Sequence, residues 1–112
     1  MRSVSVGKVL AANTATTLYT VPTGYYANCV HLHVANSTAS NKHISISWYD
    51  TSASLSIPIT FETVVTSKTS LDAITSNQYF VMEEGDYITV TSETGATMSI
   101  VGTFEINGAQ RT

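Results

Sequence analysis

Apolar and polar residues alternate with period two along almost the whole chain, and this constrains the fold more than any other feature. Val30, Leu32 and Val34 alternate with Cys29, His31 and His33, and Ile44, Ile46 and Trp48 with Ser45, Ser47 and Tyr49. Leu55, Ile57, Ile59 and Phe61 alternate with Ser56, Pro58, Thr60 and Glu62. Ile88 and Val90 alternate with Thr89 and Thr91, while Met98, Ile100, Phe104 and Ile106 share one parity around Gly102. Successive strand side chains point to opposite faces, so this pattern specifies strands with one buried face, as in antiparallel sheets. No stretch carries the i, i+3, i+4, i+7 stripe of an amphipathic helix.

Turn chemistry cuts the alternation into about eight strands, near 3–11, 17–21, 25–35, 43–50, 55–66, 77–83, 86–92 and 97–106. Val21-Pro22-Thr23-Gly24 predicts a type I turn begun by the proline and closed by the glycine. Ala35 to Lys42 and Asp50 to Ser54 are polar tips; Glu84-Gly85-Asp86 and Glu93-Thr94-Gly95 are tight turns. Ser67 to Ser76 is a loop or a short strand around Leu71 to Ile74. Pro58 inside a strand pattern requires an edge strand or a bulge there. The expectation is one all-β domain over 1–107, an antiparallel sandwich of jelly-roll or immunoglobulin-like type, with Trp48 as a core anchor and 108–112 as a polar tail.

Composition narrows the function. Charged residues make up 12 % of the chain, about half the usual ~25 %. Hydroxyls take their place, with 14 Ser and 18 Thr among 112 residues, which suits strands and turns. A net charge of −3 and ample Val, Ile and aromatics argue against disorder. Five Lys plus Arg neutralise too few phosphates for duplex DNA, so no nucleic-acid partner is expected. No apolar run is long enough to span a membrane. Cys29 is the lone cysteine and the N-terminal residues lack an apolar h-region, which predicts folding without export. The Asn36-Ser37-Thr38 sequon carries little weight in that setting.

Few residues suggest chemistry. Cys29, His31 and His33 fall on one side of a strand by parity, with His43 beyond the next loop, and such a set can bind zinc through nitrogen and sulfur. No Asp or Glu lies close in sequence, so solvent-side or interface side chains are the favoured reading, and no metal or cofactor is predicted. Glu83 and Glu84 read as a solvated turn rather than an acid–base pair. No Gly-x-Ser-x-Gly elbow, phosphate loop or calcium loop occurs, so no catalytic residue and no enzyme is predicted. Tyr25, Tyr26, Tyr49, Tyr79 and Tyr87 are candidates for subunit contact, because tyrosine is enriched at interfaces. The alternative is that outward tyrosines stack on sugar rings, as in a host-glycan adhesin. Val4, Val6, Val9, Leu10, Tyr19 and Val81 join those tyrosines as apolar residues beyond what two inner faces need. That surplus predicts a homo-oligomer.

The segment from Lys8 to Gly24, with its Leu18-Tyr19-Thr20-Val21-Pro22-Thr23-Gly24 turn, resembles the opening of small virion proteins of tailed bacteriophages. Val34-Ala35-Asn36 resembles the strand end that follows in that group, and Glu84 to Thr91 its Gly-Asp-x-Ile-x-Val hairpin. These segments cover about half the chain. The resemblance implies a non-enzymatic structural protein of the particle, a capsid decoration or cement protein or a neck or tail accessory subunit. Its partners would be virion proteins such as the major capsid protein, and it would assemble in the host cytoplasm. A trimer is favoured by that resemblance, since phage particles offer threefold sites.

Overall fold

The computed structural model describes residues 2–10, 14–74, 80–93 and 98–108. Its strands are β1 (Arg2–Leu10), β2 (Thr16–Thr20), β3 (Tyr25–Asn36), β4 (Lys42–Asp50), β5 (Leu55–Val65), β6 (Thr69–Ile74), β7 (Phe80–Met82), β8 (Tyr87–Ser92) and β9 (Met98–Gly108). The weak stretch after Ser67 is therefore a strand, β6. Gly108, expected in the tail, still pairs with Tyr25. Tyr79, residues 77–79 of the sixth expected strand, Thr94-Gly95 of the last expected turn and the rest of the tail lie outside the described residues.

Two antiparallel sheets form the sandwich. One has the order β1-β9-β3-β6, with β7 pairing the other half of β3; the second has the order β2-β8-β4-β5. With β6 and β7 sharing one position beside β3, the first strand pairs with the last, the second with the second-last, and β4 with β5. That is one long hairpin rolled over until β9 also meets β3 and β8 also meets β4. The order is that of a jelly roll and not of an immunoglobulin domain.

The core lies where the alternation placed it, except at Val30, which is half-buried, and along β5. There Leu55, Ile57 and Phe61, expected on a buried face, are exposed, because β5 is a sheet edge whose pairing with β4 is interrupted by two register shifts. Leu32, Val34, Ile44, Ile46, Ile88, Val90, Ile100 and Phe104 are all buried between the sheets. Part of the apolar surplus joins them: Leu10 is buried, Val4 and Val6 pack against the cluster, and Tyr19 stacks on Phe104 with ring centroids 4.5 Å apart. Trp48 is half-buried, packs against the core and meets Phe80 across the sandwich at 5.1 Å.

One parity expectation is corrected. Cys29 pairs with Phe104 and His31 with Thr103, which leaves Val30 as an extra residue on β3. Such a bulge restarts the alternation, because two residues on one strand then oppose one on the next. Cys29 consequently points into the core and is fully buried, while His31 and His33 lie on the outer face. Burial pushes the Cys29 thiol up to about 12.

The turn at Gly24 differs from the type expected, the turn at Gly85 is tight as expected, and the two explain each other. The Tyr25 N–H donates to the Pro22 carbonyl at 3.2 Å with Gly24 third in the turn at φ 87°; the Asp86 N–H donates to Glu83 at 3.0 Å with Gly85 third at φ 86°. A positive φ at the third position marks type II rather than type I, and glycine adopts it without steric cost. The turns are tied together: Val21 N–H donates to the Asp86 carbonyl, Gly85 N–H to the Val21 carbonyl, and Gly24 N–H to Glu84 Oε1. Glu84 is thus a structural tie of the turn. In this chain the Val-Pro-x-Gly and Gly-Asp segments form one lock at an end of the sandwich.

Candidate functional site

The described residues hold one convergent group of metal-ligating side chains, His31, His33 and Asp72. The outer parity of β3 after the Val30 bulge places both imidazoles on the same face of the β1-β9-β3-β6 sheet. β6 supplies the third group, since antiparallel pairing sets Asp72 directly opposite His33. A second irregularity between Leu32 and His33, where Ala73 is the unpaired residue of β6, brings that register about. Asp72 Oδ1 lies 3.0 Å from His31 Nε2 and 2.6 Å from His33 Nδ1. Hydrogen bonds from His33 first and His31 second hold the Asp72 carboxyl below the usual carboxylate range. All three side chains are partly exposed. Beside His33 the sheet surface carries an open depression of about 330 Å³, also lined by Lys8, Val9 and Val101.

The expected partners of these histidines are elsewhere. Cys29 is on the opposite side of β3, inside the core. His43 begins the other sheet, where its N–H donates to Glu93 Oε1 at 2.9 Å and its ring lies 3.5 Å from the same oxygen. Asp72 has no sequence signal of proximity to β3; the one trace is its polar place between the apolar Leu71 and Ala73-Ile74.

The tyrosine candidates divide into two kinds. Tyr25 and Tyr26 are exposed at the start of β3. Tyr49 and Tyr87 are half-buried neighbours on paired strands and stack on each other, centroids 4.9 Å apart and planes 19° from parallel. Each therefore has one ring face already occupied. The sequon asparagine is also engaged: Asn36 is 1 % exposed, and its Nδ2 donates to the Val65 and Ser40 carbonyls. Glycosylation there requires opening the fold.

A third surface is apolar. β5 is an edge strand of eleven residues, and Leu55, Ile57, Phe61 and Val64 on it are exposed, Phe61 at 72 %. Its backbone edge is blunted by Pro58, by register shifts on both sides of Ile46 and by Glu62 at φ 47°. Such devices hinder addition of a further strand. β1, the edge of the other sheet, runs nine residues in unbroken register against β9 and exposes Val9 at 77 %.

No protein-family model and no curated protein sequence matches the chain. A solved chain of Bacillus endospore appendages, reported as a novel family of disulfide-linked pili, is similar with a TM-score of 0.56. The match covers 97 % of this chain and 87 % of that one at 17 % identity, a level that shows a common fold alone.

Proposed function

We propose that this chain is a non-enzymatic structural subunit that works in many copies, joined to neighbouring copies through the apolar side chains of β5. The observation that carries this reading is the contrast within β5 between a blunted backbone edge and four exposed apolar side chains. Water-exposed side chains of this size gain about 25 cal/mol per Å² on burial. The low charge of the chain puts few unpaired ions in the way of contact. Resemblance of residues 8–24 and 84–91 to tailed-phage virion proteins supports a place on the phage particle, as a capsid decoration or cement protein or a neck or tail accessory subunit. A closed trimer is the form favoured there, with other virion proteins as further partners.

The likeness to a pilus chain favours a second reading, an open filament of the same subunits. Cys29 is no candidate for linking such a filament while the chain is folded, because it is buried in the core.

Sedimentation of the full chain at micromolar concentration tests the assembly. The expected result is an oligomer that the double substitution Leu55→Glu with Phe61→Glu returns to a 12.0 kDa monomer. A wild-type chain that sediments as a clean monomer overturns the self-association reading. Electron microscopy of the oligomer separates closed rings from filaments, and labelling of phage particles with an antibody to this chain tests the virion assignment.

A further inference from the structure

We propose that His31, His33 and Asp72 form a binding site for a divalent transition metal of the zinc class. The inference is independent of the self-association through β5. Two imidazole nitrogens and one carboxylate oxygen converge here, all within 4.8 Å of one another. Zinc bonds of about 2.0–2.1 Å at tetrahedral angles set ligand atoms roughly 3.3 Å apart. The present separations from Asp72 Oδ1 are 3.0 and 2.6 Å, so each nitrogen needs to part from that oxygen by about 0.3–0.7 Å. The two nitrogens, which lie within 4.8 Å of each other, need to approach by at most about 1.5 Å. Partly exposed side chains on an outer sheet face can make that adjustment by small χ rotations, without disturbing the core.

The donor set selects the class of ion. Imidazole suits zinc, copper, nickel and iron, whereas magnesium and calcium prefer all-oxygen surroundings. Asp72 brings the anionic ligand, and its Oδ1 already contacts a ring nitrogen of each histidine. Three protein ligands leave further coordination positions, as in zinc sites that keep one position for water or another ligand. The depression beside His33 gives that side of the group room. His43 and Glu93 serve as an internal contrast: they offer one imidazole and one carboxylate on the other sheet, with Lys42 Nζ 3.9 Å from the carboxylate.

Titration of the full chain with zinc chloride, followed by calorimetry and by the imidazole proton signals in NMR, tests the proposal. One zinc per chain is expected, shifting the signals of His31 and His33 and leaving those of His43 in place. His33→Ala and Asp72→Asn should each weaken binding at least ~10-fold, since even loss of a group that only supports a metal ligand costs about 10–100-fold. His43→Ala should bind as the wild type does. Absence of zinc uptake by the wild type overturns the proposal, as does uptake that both site variants leave unchanged. The NMR reading on the wild type decides the matter without any variant: a shift of His43 alone, or of no histidine, also overturns it.

Discussion

Asp86 is buried at one end of the sandwich and accepts four hydrogen bonds, from Trp48 Nε1, the Thr51 N–H and hydroxyl, and the Glu83 N–H. Asp72 stands exposed on an outer sheet face, where two imidazoles share one of its oxygens. Both carboxyls sit below the usual range, for different reasons. Burial pushes Asp86 up, and the bonds from Glu83, Thr51 and Trp48 together outweigh it. Asp72 meets little desolvation and is lowered by its histidines. Backbone and indole donors around Asp86 come from the stretch 48–51 and from Glu83, and cannot leave without loosening the turn lock. The donors around Asp72 are side-chain tips that a ligand can rearrange. A carboxylate with many partners is thus architectural in one place and available in the other, and what separates them is what its partners are attached to.

Removing each carboxylate tests that distinction. Asp86→Ala takes the shared acceptor away from four part-buried donors, at a cost of about 2–4 kcal/mol. A fall in Tm on the order of 10 °C should be visible in thermal unfolding. A fall of under about 2 °C would place Asp86 with Asp72 and end the contrast. Trp48→Phe removes one of the four donors and part of the contact with Phe80, for a loss of about 1 kcal/mol measurable in urea unfolding.

The acid limb of stability gives a second comparison. The folded pKa of Asp86 lies below its ordinary 3.8, so between the two values the unfolded chain binds more protons. Its contribution is complete above the ordinary value and is lost as the pH falls through the folded one. Asp86→Asn should flatten the loss of stability in that window. Asp72→Asn should leave both Tm and the acid limb unchanged within error, because an exposed pair is screened by solvent. That is the smallest effect expected.

Cys29 sharpens the picture from inside the core. With its thiol pushed up to about 12 and no exposure, it should resist maleimide at pH 8 in the folded chain and react on unfolding. Labelling should accelerate in Asp86→Ala and stay at the wild-type rate in Asp72→Asn.

Much of this fold is legible in the letters, and the reason is local. A period of two needs no knowledge of neighbours, so the strands from Ile44 to Trp48 or Met98 to Ile106 can be placed from sequence with their inner faces correct. Pro58 marks an edge because it lacks a backbone donor, and β5 is both an edge and irregular in register there. Cys29 fails by the same logic: parity counting assumes an unbroken ladder, and one extra residue at Val30 reverses every face before it.

The sequence by itself determined most of the strands, the two-sheet sandwich and the buried residues of β4, β8 and β9, because alternation and turn chemistry act over a few residues. Tertiary structure alone decided the jelly-roll order, the partnership of Val21 with Asp86 and the meeting of Asp72 with His31 and His33. Asp72 lies 39 residues from His33, and only the pairing of β6 with β3, in a register shifted by one residue, sets them face to face. Strand order and register are set by how whole sheets close over a shared core, and a period of two leaves both open.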